Sequence, residues 1–275
     1  MDLLRPLVPA DAAACTRVSQ SRGWLHGEAE WRMVLEQGEG LGYEQDGRLE
    51  GTVVLTRYGQ NLATIAMMVV TPGLGRSGLG TQLLEAALEA AGAATVFLYA
   101  TDMGHALYQR HGFVDAGATA RLLGPFAGKP PRRTDIRHLR RADHPAVVAL
   151  DERAQGAPRP GLIAWHLANS DAGLVAERDG EVVGFGLSRD ALGRRMVGPV
   201  VARDEDAAIG LCSALAAGAT LPVRVDVAPG ERGLLAWGRA AGLALVETNA
   251  LMVREGRALP GERGLIRALA SRAHG

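Results

Sequence analysis

Apolar residues recur along the chain in short runs that alternate between the strand pattern and the helix pattern. Residues 64–70 form a largely apolar run, which is typical of a buried strand. Residues 81–91 place their apolar side chains on one face, as an amphipathic helix does, and residues 96–99 predict a further short strand. Residues 105–111 then predict a short helix that ends at Gly112, since glycine readily adopts the left-handed conformation of a C-cap. This mixture of strand-like and helix-like segments predicts an α+β fold.

This pattern occurs twice. Residues 4–11 (LRPLVPAD) are echoed by residues 136–143 (IRHLRRAD), and an apolar-periodic helix follows each of them. Residues 44–51 (EQDGRLEG) are echoed by residues 177–184 (ERDGEVVG), with Asp-Gly between two strand-like runs. Asp-Gly predicts a hairpin, because both turn residues must tolerate a positive φ. Two echoes in the same order predict two copies of one fold.

The boundary between the copies is predicted within residues 128–133 (GKPPRR), since neither a helix nor a strand uses such a run of Pro, Gly and cations. We therefore expect one domain at residues 1–130 and a second at residues 131–275. Each would run in the order strand, helices, hairpin, central strand, helix, strand, helix and closing strand.

Composition and charge exclude several classes of protein. Hydrophobic residues make up 47% of the 275 residues and charged residues 22%, which is the balance of a globular protein. Lys+Arg and Asp+Glu both total 30, so no net charge attracts nucleic acid or anionic lipid. The N-terminus lacks the pattern of a signal peptide, and no apolar run is long enough to span a bilayer. We expect a cytoplasmic protein without nucleic-acid or membrane partners; its oligomeric state is not indicated.

The two cysteines leave two interpretations open. Cys15 and Cys212 both fall in helical patterns rich in Ala and Leu. Two cysteines could form one bridge, but buried free thiols are the expected state of such positions.

The glycine-rich segment at residues 73–80 (GLGRSGLG) lies between the apolar run and the amphipathic helix. Glycines let the backbone curl close to a ligand, and the first turn of a helix offers unpaired N–H groups and a positive dipole end. Arg76 adds a mobile cation, and Thr81 adds a hydroxyl. The segment therefore predicts a binding site for a diphosphate.

The identity of the diphosphate stays open at this point. Residues 73–78 match G-x-G-x-x-G, the dinucleotide fingerprint, and Asp102 lies roughly 20 residues on, as that motif requires. Two features count against a dinucleotide-binding unit. Pro72 separates the strand from the loop, and a long α+β segment precedes the strand with which such a unit would normally start. A glycine-rich turn without a ligand is the third possibility.

Tyr108 is the candidate catalytic residue. It lies on the short helix after the second strand, close in sequence to the glycine-rich segment. Acyl transfer from a thioester to an amine expels a thiolate, and a neighbouring hydroxyl can hydrogen-bond or protonate that sulfur. The alternative is a tyrosine that only packs under the sheet.

The chain resembles the GNAT superfamily of N-acetyltransferases, and more narrowly a bacterial group with two GNAT domains in tandem. Residues 70–80 (VTPGLGRSGLG) are similar to the pyrophosphate signature of that family, and residues 100–108 (ATDMGHALY) with Gly112-Phe113 are similar to its second motif. The general resemblance covers nearly the whole chain, and Gly23-Trp24, Tyr58-Gly59, Ala100-Thr101 and the degenerate second half support the narrower one.

The resemblance implies a function and a set of site residues. Each domain would have a mixed, mostly antiparallel sheet flanked by helices, which is splayed at residues 68–70. Acetyl-CoA would lie in the split, and its acetyl group would pass directly to the amine of a small molecule in a ternary complex, with Tyr108 assisting the thiolate. No metal is implied. The residues expected at acetyl-CoA are Met68, Val69, Val70, Gly75, Arg76, Ser77, Gly78, Leu79, Gly80, Thr81, Thr101 and Gly104.

Two positions depart from the family pattern. Gly75 stands where the signature usually has Gln or Arg, which leaves Arg76 to carry the phosphate charge. Thr101 replaces the more usual Asn, which puts one pantetheine or water contact in doubt.

The second copy is expected to bind no CoA. Aligning the halves puts Gly238 opposite Tyr108, and three carboxylates at residues 204–206 would repel a diphosphate. We expect this half to cover the amine pocket of the first. Asp226 is a candidate contact for a cationic amine, or else a residue at a strand end.

The residues that would bind or deprotonate the acceptor amine are indicated less specifically by the sequence. The attacking amine must be neutral, and His26 or Glu28 could remove its proton, although each could simply be solvated. Trp24 and Tyr58, together with Trp31, could line an apolar acceptor pocket or belong to the core. His105 and His111 lie on different helix faces, so no metal site is expected.

Three functions stay open on the sequence. The first is an N-acetyltransferase acting on a small amine. The second is an NAD(P)-dependent oxidoreductase that uses the loop from Gly73 to Gly78. The third is a non-catalytic acyl-CoA-binding sensor, which would tolerate the loss of Tyr108.

Overall fold

The structure, a computed structural model, describes residues 3–24, 26–129 and 135–275. Its described residues divide into two compact units. The first contains the residues up to Val114 together with Met252–Arg257 and His274. The second contains Asp115–Leu251, Ala258–Ala273 and Gly275. The linker predicted at residues 128–133 lies mostly outside the described residues, since residues 130–134 are not described.

Short strands and helices alternate in both halves of the chain, as the apolar pattern predicts. The elements of the first half are β1 (Leu3–Leu7), α1 (Ala12–Gln20), α2 (Glu28–Gln37), β2 (Glu39–Gln45), β3 (Arg48–Tyr58), β4 (Leu62–Val70), α3 (Leu79–Ala91), β5 (Thr95–Ala100), α4 (Asp102–Arg110) and β6 (Phe113–Gly124). Those of the second half are β7 (Ile136–His138), α5 (His144–Gln155), α6 (Pro160–Ala168), β8 (Ala172–Arg178), β9 (Glu181–Ala191), β10 (Arg194–Ala202), α7 (Glu205–Ala216), β11 (Val223–Val227), α8 (Arg232–Ala240), β12 (Ala244–Arg254) and β13 (Ile266–Leu269).

The sheet of the first unit follows the order β1-β2-β3-β4-β5. Its strands pair antiparallel except β4 and β5, which are parallel. The β2–β3 hairpin turns at Asp46 and Gly47, whose φ angles are 51° and 75°. The mixed, mostly antiparallel sheet and the Asp-Gly turn predicted from the sequence are both confirmed.

The strands β4 and β5 are paired over only part of their length. Their three pairs are Leu62 with Thr95, Ala63 with Val96 and Thr64 with Phe97. Both strands are fully described, and they form no further pairs beyond these. The second half of β4 is therefore open on this side, and along it half-exposed residues alternate with buried ones.

The second unit has the same strand arrangement, but a further strand occupies the position that is open in the first unit. β10 and β11 are parallel, as β4 and β5 are. Between them lies β13, which is antiparallel to both: Val200 pairs with Ala268, and Asp226 pairs with Leu269. A Cβ atom on Gly198 would lie only 2.1 Å from the carbonyl oxygen of Leu269, so a larger residue would not admit the strand.

One echo between the halves is a repeated ion pair. Arg5 lies 2.9 Å from one carboxylate oxygen of Asp11, and the other oxygen of Asp11 accepts the N–H of Val8. Arg137 and Asp143 form the same pair at 2.8 Å, and the arginine holds the pKa of Asp143 at about 2. The recurring Arg and Asp therefore fix the chain before the first helix of each half.

Both cysteines are free and buried in the core, as expected from the sequence. Burial raises the pKa of the Cys15 and Cys212 thiols to about 12, because a thiolate would lose its solvation there. None of the helices in the described part of the chain is long and apolar enough to cross a membrane.

Candidate active site

A bulge in β4 places the centre of the site. Thr52 pairs with Val69 and Val54 pairs with Ala66, so β4 has one residue more than β3 between these pairs. Met67 in the bulge has a φ of 51°, and the buried hydroxyl of Thr52 donates to its carbonyl oxygen at 2.8 Å. Bulges re-aim the side chains beside them. Here the second residue of the bulge, Met68, is half-buried on the open part of the strand.

Tyr108 reaches this strand from α4. Its hydroxyl lies 3.6 Å from the sulfur of Met68, and its ring packs edge-on against Phe113 with centroids 5.8 Å apart. The side chain is 9% exposed. Burial raises the pKa of Tyr108 to about 12, because the phenolate would be poorly solvated. The hydroxyl therefore keeps its proton at neutral pH and is available as a donor.

One of the predicted glycines makes room for the tyrosine ring. A Cβ atom on Gly104 would lie 2.8 Å from the ring of Tyr108, so a larger residue there would displace the ring. Gly80 lies close to Met68 and Leu107, but a Cβ atom there would be 3.5 Å or more from both, which is ordinary van der Waals contact. Thr101 is the N-cap residue of α4 and contributes its carbonyl oxygen to the first turn.

The glycine-rich loop ends in an open helix N-terminus. Arg76 and Gly78 have φ angles of 66° and 87°, and Gly78 is the N-cap residue of α3. The hydroxyl of Ser77 donates to the carbonyl oxygen of Leu74 at 2.8 Å, so Ser77 stabilises the loop itself. The N–H groups of the second and third helical residues have no acceptor among the described residues. With the exposed Arg76 beside them, they form a place for an anion.

Arg22 borders this loop and was missed by the sequence analysis. Its Nε donates to the carbonyl oxygen of Val70 at 2.6 Å, and its Nη2 donates to that of Thr71 at 3.3 Å. A Cβ atom on Gly75 would lie 3.3 Å from the same Nη2. Arg22 is 48 residues before Val70, and its local sequence does not distinguish it from a surface arginine.

The predicted acceptor residues fall into two groups. Trp24 and His26 are half-buried neighbours with ring centroids 5.5 Å apart, and Glu28 is exposed in the first turn of α2. Tyr58, by contrast, is 1% exposed, and its hydroxyl donates to the carbonyl oxygen of His274 at 2.5 Å. It lies opposite Leu62, at the end of β4 remote from the loop.

Trp31 belongs to the core. It is fully buried, and its indole N–H donates to the hydroxyl of Ser19 at 2.9 Å. The sequence left a core position and an acceptor-pocket position open for this residue, and the structure decides for the core.

The second unit lacks the features of this site. A Cβ atom on Gly238, opposite Tyr108, would lie 2.2 Å from the end of the Leu122 side chain, so a tyrosine there would require this buried leucine to move. Asp204 caps α7 by accepting the N–H of Ala207 at 2.8 Å, so this carboxylate has a structural partner.

Asp226 is committed to arginines of its own unit. It is 3% exposed, lies 2.9 Å from Arg121 and pairs with Arg224 as well. A cationic amine would have to displace these partners, and for this reason we leave Asp226 out of the proposed pocket. Among the residues that the structure describes, no group of three or more His, Cys, Asp or Glu side chains is arranged to hold a metal ion.

Comparison with known families identifies the class of protein. Two family models, both described as acetyltransferase (GNAT) domains, match residues 36–115 and residues 147–267. The chain belongs to the GNAT acetyltransferases, with two such domains in tandem, and it is an acyltransferase. The family resemblance predicted from the two motifs is thus confirmed. The oxidoreductase alternative is not supported, because β4 is antiparallel to β3, whereas a dinucleotide-binding sheet is mostly parallel.

The relatives include N-acetyltransferases and a tandem GNAT protein. The chain is 28% identical over 235 residues to the uncharacterized N-acetyltransferase YitH of Bacillus subtilis, and the aligned region covers 82% of each of the two chains. A solved protein of Pyrococcus horikoshii has a TM-score of 0.83 at 19% identity and covers 100% of this chain and 96% of its own. A tandem GNAT protein from the clavulanic acid biosynthesis pathway has a TM-score of 0.67 at 16% identity, covering 94% of this chain and 100% of its own.

Proposed function

We propose that the first unit transfers the acetyl group of acetyl-CoA to the amine of a small molecule. The observation that carries the proposal is the position of Tyr108, whose protonated hydroxyl lies at the bulge of β4 on the open side of that strand. An acyl donor bound along the strand would bring its thioester to this hydroxyl.

The residues present fit acetyl-CoA. The loop before α3 offers N–H groups and Arg76 to the diphosphate, and the glycines at 73 and 78 leave the space beside their backbone empty. Met68 and the N–H of Val70 would offer backbone groups to the pantetheine arm, since this part of β4 has no partner strand on the β5 side. The carbonyl oxygen of Val70 already accepts from Arg22, and Val69 pairs with Thr52 of β3.

The chemical step is a direct displacement. The neutral amine nitrogen attacks the thioester carbonyl carbon, so that a C–N bond forms and the C–S bond breaks. Tyr108 donates its hydroxyl hydrogen to the departing sulfur, and the amine gives up one proton to water or to a base. The products are an N-acetyl amide and the thiol of CoA, and the phenol regains its proton from solvent.

The base would come from the connection between α1 and α2. Trp24 and His26 lie in this connection, and Glu28 follows in the first turn of α2. The two rings could contact an apolar acceptor, and His26 and Glu28 could take a proton. A small-molecule acceptor is the proposal for this site, because the balanced net charge offers no field for a strongly charged protein tail.

A mass-spectrometric screen tests the proposed function. The purified chain and acetyl-CoA are incubated with a panel of small primary amines, and with lysine-containing peptides as a parallel set. An acetylated small amine that requires the enzyme supports the proposal, with His26→Ala plus Glu28→Gln as a test of the base. Acetylation of peptides alone would overturn the small-molecule acceptor, and no product with any amine would overturn the reaction.

A further inference from the structure

Arg22 makes an unusual set of contacts at the end of β4. Two of its three guanidinium nitrogens donate to consecutive carbonyl oxygens, those of Val70 and Thr71. These bonds hold the guanidinium at the start of the glycine-rich loop, where a Cβ atom on Gly75 would lie 3.3 Å away. The third nitrogen, Nη1, has no acceptor among the described residues.

The second unit contains the same arrangement, built from another part of the chain. Arg267 on β13 donates to the carbonyl oxygens of Ala202 and Arg203 at 3.0 and 3.2 Å. These are the last residue of β10 and the residue after it, just as Val70 and Thr71 are the last residue of β4 and the residue after it. Its Nη1 donates to both carboxylate oxygens of Glu231, at 2.9 and 3.0 Å. The third nitrogen of this arginine thus holds an anion that the chain itself provides.

Among the residues that the structure describes, the first unit supplies no such anion. Glu231 is the N-cap residue of α8, and the N-cap residue of the corresponding helix α4 is the neutral Thr101. The acidic residue bonded to Thr71 is Glu50, whose carboxylate accepts that hydroxyl at 2.5 Å and forms no ion pair with Arg22 among the described residues. A half-buried guanidinium with one unused nitrogen is a ready partner for an oxyanion.

We propose that Arg22 binds the diphosphate of acetyl-CoA through Nη1 and supplies, with Arg76, the positive charge that Gly75 lacks. The inference rests on the proposed function, because it names a further contact to the same donor. It also accounts for Gly75: a long side chain there would meet the guanidinium of Arg22.

Calorimetry with two probes separates this role from a purely structural one. Acetyl-CoA carries the diphosphate, whereas S-acetylpantetheine carries the same thioester arm without it. In Arg22→Met, we expect acetyl-CoA binding to weaken roughly tenfold to hundredfold, the range for a lost hydrogen bond between charged groups. S-acetylpantetheine binding should change less than about twofold, since it has no group for Arg22 to hold.

Two further variants complete the test. Arg32→Met removes an exposed arginine of α2 and should leave both affinities unchanged. Arg22→Lys keeps the charge and should retain part of the affinity for acetyl-CoA, with the difference from Arg22→Met shrinking at high salt.

The possible failures are distinguishable. An equal loss for both probes in Arg22→Met would show that Arg22 only holds the end of β4, and unchanged acetyl-CoA binding would also overturn the inference. If S-acetylpantetheine binds too weakly to measure, the salt dependence of acetyl-CoA binding decides, and it must be shallower in Arg22→Met than in the wild type. A wild-type chain that binds neither probe would contradict the proposed function itself.

Discussion

The hydroxyl of Tyr108 lies 3.6 Å from the sulfur of Met68. This contact joins α4 to the bulge of β4, the two elements that the acyl donor would have to reach at once. Gly104 gives the tyrosine ring its space, and the bulge turns Met68 toward it. The site therefore depends on one helix and one irregular strand, both in the first unit.

Replacing Tyr108 by phenylalanine removes the proposed acid and keeps the ring. We expect kcat to fall by roughly tenfold to hundredfold, the lower part of the range for general acid catalysis, with little change in the KM for acetyl-CoA. Steady-state kinetics with the amine found in the screen measures both constants. Tyr43→Phe is the control, and an unchanged kcat in Tyr108→Phe would remove the acid role.

The acidity of Tyr108 can be measured directly. Its pKa is raised to about 12 by burial, so the phenol should ionise well above the ordinary tyrosine value of about 10. A folded-state pKa above the unfolded value stabilises the fold below about pH 10, and that stabilisation is lost as the pH rises towards 12. The difference between the ultraviolet titrations of the wild type and Tyr108→Phe isolates this group. A midpoint below pH 10 would contradict the buried, protonated state.

Much of the first unit could be predicted from local patterns. Asp46 and Gly47 mark a hairpin because few other residues accept their φ angles, and the apolar run before Pro72 marks a buried strand. The glycines around Arg76 predict the loop for the same conformational reason. Tyr108 could be singled out because its helix follows the next strand, as the family motif requires.

Features that depend on distant pairing could not be predicted. In the second unit, β13 lies between β10 and β11, where the first unit is open. The only indication in the sequence is Gly198, at the position of Ala66 in the first copy, because a glycine there lets the backbone of β13 come close to β10. Arg22 bonds to carbonyl oxygens 48 residues away, and nothing in its own segment predicts them. β6 pairs with β11 over residues 120–124, a partnership between strands from different halves of the chain.

The close approach of β13 predicts a strong effect of a small substitution. Gly198→Ala would put a Cβ atom 2.1 Å from the carbonyl oxygen of Leu269, so we expect the free energy of unfolding to fall by about 2 kcal/mol or more. Gly193→Ala is the matched control, because its φ is also positive but nothing lies within 4 Å of the new atom. That variant should lose roughly 1–2 kcal/mol. Equal losses in chemical denaturation would show that β13 does not pack tightly against Gly198.

The repeated ion pair predicts sensitivity to acid. Asp143 has a pKa of about 2 because Arg137 hydrogen-bonds its carboxylate, so its contribution is present above about pH 4 and is lost as the pH falls towards 2. Asp143→Asn should lower the free energy of unfolding at pH 7 by roughly 1–3 kcal/mol. The difference in the free energy of unfolding between the variant and the wild type should disappear as the pH falls towards 2. A gap that persists at pH 2 would mean that the asparagine disturbs packing instead of the ion pair.

Calorimetric titration of the purified chain with acetyl-CoA, with NADH titrated in parallel, decides whether the first unit holds a single acetyl-CoA site. We predict one acetyl-CoA bound per chain, because the opening beside β4 is free of a partner strand while β13 occupies its counterpart, and we predict no binding of NADH. Two acetyl-CoA molecules per chain, or NADH binding without acetyl-CoA binding, would contradict this account.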